Sequence, residues 1–299
     1  MYIVPMATVH FFKAKSRLGL PNLPAGQSEK NIGVEEAPDA ILTPAFLAKF
    51  PDSRVNDYNF PKPEQVKDNY TQVLVETLND FREFINDNLE MGETQVVVGG
   101  ENSVTFSSLL ADQDRFGRRF GYIQFDSHGE SNLYSTSPTK NFHGMYLRPF
   151  LDNFDVPEID RLVSREKLTK ENTLFIGNLN LDGDEPSLFK RLGLVNINKE
   201  DITKNKAQVL KQVREFIKKF DHIHINFDVD VFDKSIVIAT GIPAEKGLFM
   251  ADIVPILLIL STKPFSLDLS EVNPRKKGAR ETIDIAQKVV YILTHGSLP

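Results

Sequence analysis

The chain reads as a single α/β domain whose mainly parallel sheet is covered by helices on both faces. Three observations predict this. Short apolar β-like runs alternate with amphipathic helical stretches. Polar chemistry collects where those runs end, as it does at the carboxyl edge of a parallel sheet. No repeat, low-complexity tract or linker divides residues 1–299, and the Pro- and Gly-rich stretch GLPNLPAG (19–26) is too short to separate domains.

Element by element, residues 64–90 place Val66, Tyr70, Val73, Thr77, Phe81 and Ile85 at three- or four-residue steps, the period of a helix. QVVV (95–98) is strand-like and leads through GGENS to a helix over Val104–Leu110. RFGYIQFD (119–126) is the next strand, followed by a polar loop to about residue 141. TLFIG (173–177) is another, and LFKRLGL closes a short helix after the loop NLNLDGDEPS. KAQVLKQVREFIKKF (206–220) repeats the helical period through Val209, Val213, Phe216, Ile217 and Phe220. HIHINFDVD (222–230) and FSLDLSEV (265–272) are β-like, and the last helix covers Glu281–Leu293.

Composition excludes several functions. A net charge of −6 and a pI near 5.6 oppose non-specific nucleic-acid binding. With no cysteine, disulfides, thiolate metal sites and cysteine nucleophiles are ruled out. Any metal is left to oxygen and imidazole ligands. The amino terminus, MYIVPMATVHFFKAKSRLG, lacks the basic segment and long apolar run of a secretion signal. The most apolar run, Ile253–Leu260, is eight residues with Pro255 inside, whereas crossing a bilayer takes roughly 20. These features predict a soluble, cytoplasmic protein without nucleic-acid or membrane partners.

Four strand ends carry candidate chemistry: GGEN (99–102), DSHGE (126–130), DVDVFD (228–233) and EVN (271–273). Asp126, His128 and Glu130 share parity, as do Asp228 and Asp230, so persisting strand geometry projects each set to one side. Alone, DSHGE equally fits a solvated loop with a capping Asp. DVDVFD alone fits a turn, or a calcium-type loop lacking the glycine and distal glutamate of an EF-hand. Together they point to metal, because Asp126, Glu130, Asp228 and Asp230 crowd four negative charges that only cations can balance. Two divalent ions would suffice. His222 and His224 read as satisfied core histidines, and His10 and His295 as incidental. His143 alone reads as a surface histidine, and Asp182 and Glu185 as the capped start of a helix.

GGENS (99–103), DSHGE (126–130), NFDVDVFDKS (226–235), TGIP (240–243) and EVNP (271–274) occur in one order, after an opening GVEEAPDAI (33–41). This set resembles the ureohydrolase family of arginases, agmatinases and formimidoylglutamases over nearly the whole chain. The resemblance implies a three-layer α/β/α fold and a two-metal site, usually manganese, with trimeric or hexameric assembly. Asp126 and Asp228 would bridge the ions. His128 and Asp230 would complete one site, Glu130 and Asn102 the other. The family has Asp at position 130, His at position 102 and a second Thr at position 242, where this chain has Ile242.

Asn132, Ser137 and Thr139 fall on the donors of the arginase subgroup to a substrate α-carboxylate. Asp182 and Glu185 fall on its acceptors near the α-amino group, and Thr240 in TGIP is assigned to substrate binding. Glu271 falls on the guanidinium-binding carboxylate and His143 on the proton shuttle; with Glu130 they form the implied catalytic set. Divalent ions acidify bound water to supply hydroxide near neutral pH. The implied activity is therefore hydrolysis of a C–N bond in a guanidino or formimino small molecule. Asn102 and Glu130 motivate an alternative, a weak or inactive relative kept for binding or assembly. A deacetylase sharing the fold is opposed by EVNP and by the loop from Asp126 to His143.

Overall fold

The computed structural model describes residues 8–22, 31–117, 119–163 and 166–299. The leader-free reading of residues 1–7 and the end of the stretch at 23–26 lie outside them. Among the described residues, eight strands form one sheet: β1 (Val9–Lys15), β2 (Arg54–Asn59), β3 (Thr94–Gly99), β4 (Phe120–Phe125), β5 (Thr173–Ile176), β6 (Asn196–Ile197), β7 (His222–Asp228) and β8 (Phe265–Ser270). Their order is β2-β1-β3-β8-β7-β4-β5-β6 and every neighbouring pair is parallel.

Burial on both faces explains the continuous apolar strands. Along β4, Ile123 and Phe125 enter one core while Phe120 and Tyr122 enter the other. The first core is closed by helices α1 (Ala37–Ile41), α2 (Pro44–Leu47), α8 (Lys199–Ile217), α9 (Met250–Leu260) and α10 (Ala279–His295). The second is closed by α3 (Tyr70–Asn88), α4 (Val104–Phe116), α5 (Arg148–Leu151), α6 (Pro157–Asp160) and α7 (Glu185–Leu192). Helices thus cover both faces of the sheet, as the alternating pattern predicts. No helix among the described residues is long and apolar enough to cross a membrane.

Three differences from the sequence reading have physical causes. The period over 64–90 becomes helical only at Tyr70, because two short 3-10 turns occupy residues 63–69. The apolar run with Pro255 is helix α9, packed between α8 and α10. Proline there cannot donate to the Ala251 carbonyl, which instead receives Lys206 Nζ at 3.4 Å. Strands β1 and β2, absent from the sequence reading, form the edge beside β3.

The core histidines are satisfied. His224 Nδ1 lies 2.7 Å from Asp112 Oδ2, and its Nε2 lies 2.9 Å from Asp268 Oδ2. Burial works against its charge, but Asp268 and Asp112 push His224 up to about 9. His222 Nε2 meets Ser266 Oγ at 2.9 Å. His10 sits between Glu93 and Asn56, and His295 stacks on Tyr291.

Candidate metal centre and active site

The four polar strand ends belong to β3, β8, β7 and β4, which are consecutive neighbours in the middle of the sheet. Their carboxyl edge opens into a cavity of about 100 Å³ lined by Asn102, His128, Glu130, Asp228, Asp230 and Glu271. Residues as far apart in sequence as 102 and 271 are brought together by the parallel pairing of β3 with β8.

Strand geometry does not carry the motif to its end. β4 stops at Phe125, and Glu130 takes a left-handed φ of 53°. Asp126 is instead locked by its own turn, accepting from His128 N at 2.8 Å and from Gln124 Nε2 at 3.1 Å. Behind it, a Cβ on Gly177 would come within 1.9 Å of the Asp126 carbonyl, so only glycine fits there. Asp228 ends β7, and its Oδ1 accepts from Asp230 N at 2.7 Å, which curls the chain into a 3-10 turn.

Ligand atoms gather in two overlapping groups, Asp126–His128–Asp230 and Asp126–Glu130–Asp228, each set lying within 4.8 Å of one another. Asp126 is common to both. Asp228 falls in the second group, its Oδ1 accepting from Asp230 N and its Oδ2 from Asn102 Nδ2, both at 2.7 Å.

The electrostatics are those of a site built for cations. Burial, then repulsion from Asp230, lifts Asp126 to about 7. Burial and Asp126 hold Glu130 well above the usual carboxylate range, and burial with Asp230 does the same to Asp228. Asp230 moves the other way: burial would raise it, but His128 and the Ser127 donors outweigh that. His128 is held well above its ordinary value by Asp230 and Asp126 against the cost of burial. Glu130 Oε2 is buried with no hydrogen-bond partner among the described residues. An orphaned carboxylate oxygen between crowded carboxylates fits a divalent ion. One group offers an imidazole and two carboxylates, the other carboxylates only.

Asn102 lines the same cavity, its Nδ2 donating to Asp228 Oδ2 at 2.7 Å and its Oδ1 accepting from the Ser270 hydroxyl.

His143 and Glu271 line the same cavity, with His143 Nδ1 3.5 Å from Glu271 Oε1. Asn132, Ser137, Thr139, Asp182 and Glu185 also line it. The Asp182 carboxylate accepts from Asn132 Nδ2, and Glu185 accepts from Ser131 N at 2.7 Å and Asp182 N at 3.1 Å. Burial nevertheless lifts Glu185 to about 7. Thr240 departs from expectation: it is fully buried and off the cavity wall, and its carbonyl is held by Lys276 Nζ at 2.7 Å. Gly241 and Ile242 form the wall instead.

Several supporting residues escape a motif reading. Ser127 gives both N–H and O–H to Asp230 Oδ1, at 3.0 and 2.9 Å. Gln124 steadies Asp126; its signal is a lone amide inside an apolar strand, at the parity of Asp126. Asn31, which donates to Glu271, has no local signal.

A family model described as the arginase family matches residues 18–295. The chain belongs to the arginase family. The arginase of Emericella nidulans is 25% identical over 302 residues, covering 91% of this chain and 92% of that protein. The crystal structure of arginase from Bacillus subtilis superposes with a TM-score of 0.82 at 22% identity, covering 96% of this chain and 98% of that one. Formimidoylglutamase from Bacillus subtilis has the same fold at greater distance, with a TM-score of 0.69, 17% identity, and coverage of 97% and 86%. The arginase-family resemblance read from five short motifs therefore extends over nearly the whole chain. With it comes the class of chemistry, metal-dependent hydrolysis.

Proposed function

We propose that this protein cleaves a C–N bond of a guanidino or formimino compound by metal-dependent hydrolysis. One observation carries the proposal: His128, Glu130, Asp228 and Asp230, clustered with the buried Asp126, line one cavity with Glu271 and His143. Divalent ions held by the two carboxylate groups would supply an acidified water there. Manganese is the proposed ion, because the first group mixes carboxylate oxygen with imidazole.

The chain's own residues do the rest. Glu271 accepts N–H groups of a cationic guanidinium or amidinium. His143, beside it, gives a proton to the departing amine as the C–N bond breaks. Ser137 and Thr139, whose hydroxyl oxygens accept from Lys140 N and Asn141 N, keep their O–H groups to hold the far end of the substrate. Glu185 and Asp182 set the acidic side of that end. Cytoplasmic residence and trimeric or hexameric assembly belong to the same proposal.

A second reading, a scaffold without turnover, is favoured by one contact, the Asn102 amide bonded to Asp228 and Ser270. The test is direct. Protein saturated in turn with manganese, cobalt and magnesium is assayed on a panel of guanidino and formimino compounds for urea or formamide. Turnover that a chelator abolishes is expected. No turnover on any compound overturns the proposal, and recovery in Asn102→His with Glu130→Asp would assign the loss to those positions.

A further inference from the structure

Glu271 is held in an unusual way. It is a non-glycine residue in the left-handed region, φ 68°, and its side chain meets another, Asn31, at φ 49°. Two such residues touching across 240 positions of sequence is a costly arrangement, of the kind that persists where surrounding structure over-determines it. The surroundings do so here. Glu271 N donates to Gly100 O at 2.7 Å, Asn102 N donates to Glu271 Oε1 at 3.2 Å, and Asn31 Nδ2 donates to Glu271 Oε2 at 3.1 Å.

The direction of the Asn31 amide follows from backbone partners. Asn273 Oδ1 accepts from Arg275 N at 3.0 Å, which places its Nδ2 opposite the Ile32 carbonyl at 3.1 Å. That same Nδ2 donates to Asn31 Oδ1 at 2.7 Å. Asn31 can therefore offer only its N–H to Glu271. Gly241 closes the pair in: a Cβ there would lie 3.1 Å from Asn31 Nδ2 and 3.2 Å from Glu271 Oε2.

We propose that Asn31, oriented by Asn273, is a positioning residue that fixes the Glu271 carboxylate as an acceptor for a cationic guanidinium and so sets selectivity against neutral ureido isosteres. This rests on the function proposed above. Each Glu271 oxygen receives one fixed N–H, and the remaining acceptor capacity serves the cavity it lines. Asn31 does not titrate; it stands beside Glu271 at the cavity wall and acts through it.

The experiment compares wild type with Asn31→Ala, both loaded with manganese, for calorimetric binding of L-arginine and its neutral isostere L-citrulline. Asn31→Ala is expected to weaken arginine about tenfold while leaving citrulline within twofold, a split that general structural damage would not give. Asn273→Asp, which turns the Asn31 amide around, should give the same split, with no further loss when combined with Asn31→Ala. An unchanged arginine-to-citrulline ratio in Asn31→Ala overturns the proposal. Wild type that binds neither compound overturns the selectivity claim, whereas the proposed function fails only if the whole guanidino and formimino panel shows no turnover. A crystal structure of Asn31→Ala then still decides the positioning role, which is overturned by a Glu271 carboxylate left in place.

Discussion

Asp126 contributes to both ligand groups, whereas Glu130 contributes to one. Asp126→Asn should therefore abolish uptake of both ions, while Glu130→Gln leaves one ion per chain. Elemental analysis of dialysed protein checks this, and equal losses in the two variants would show that the groups are not separate. Asn102 spends its amide on Asp228 and Ser270, so replacing it by an imidazole adds a nitrogen ligand to an all-carboxylate group. Asn102→His is expected to tighten the second manganese at least tenfold, about 1.4 kcal/mol, by calorimetric titration. An unaltered second affinity would mean that position 102 does not reach the ion. At this scale the candidate ligands were legible because their residue types are costly to bury without a cation. Asn31 and Ser127 were not, since Asn and Ser are ordinary in loops and gain meaning only from what they face.

Among elements, helix α8 shows how a boundary is set. The apolar period predicts a start at residue 206, yet the helix begins at Lys199 and kinks at Asn205, φ −132°. Its first turn has little apolar period to read and is held by a capping box. Asn198 Oδ1 accepts from Asp201 N, and Asp201 Oδ2 accepts from Asn198 N, both at 2.9 Å. Asn198→Ala is expected to cost about 1 kcal/mol by urea unfolding, and a change near zero would show that the turn is held by packing. Long periodic helices and the central strands β3, β4, β7 and β8 were legible because each buries enough apolar surface to leave a pattern. The edge strand β2, RVNDYN, alternates half-buried and exposed residues, and its pairing with β1 alone makes it a strand. β6 is two residues long, too short for any period.

For the molecule as a whole, the site couples stability to pH and to metal. Without an ion, Asp126 titrates at about 7 instead of its ordinary 3.8, and Glu185 likewise near 7 instead of 4.5. The folded chain then binds more protons than the unfolded one across that window, so these groups' contribution is complete at low pH and is lost as pH rises through about 7. His128, also raised, acts in the same direction. The melting temperature of metal-free protein is expected to fall between about pH 5 and pH 8 relative to manganese-saturated protein, because ions take over from protons. Manganese binding near pH 6 should release protons, visible as heats that vary with buffer. Parallel melting profiles with and without metal would contradict this.

The sequence by itself determined the α/β class, the helix-covered parallel sheet, the order of the chemical motifs and the family, because periodicity and residue type are local properties of the chain. Only the tertiary structure decided that β3, β8, β7 and β4 lie side by side, that Asp126 belongs to both ligand groups, that the Asn102 amide faces Asp228, and that Asn31 holds Glu271. Each depends on which distant residues meet, and strand order and amide direction are set by packing rather than by neighbours in sequence.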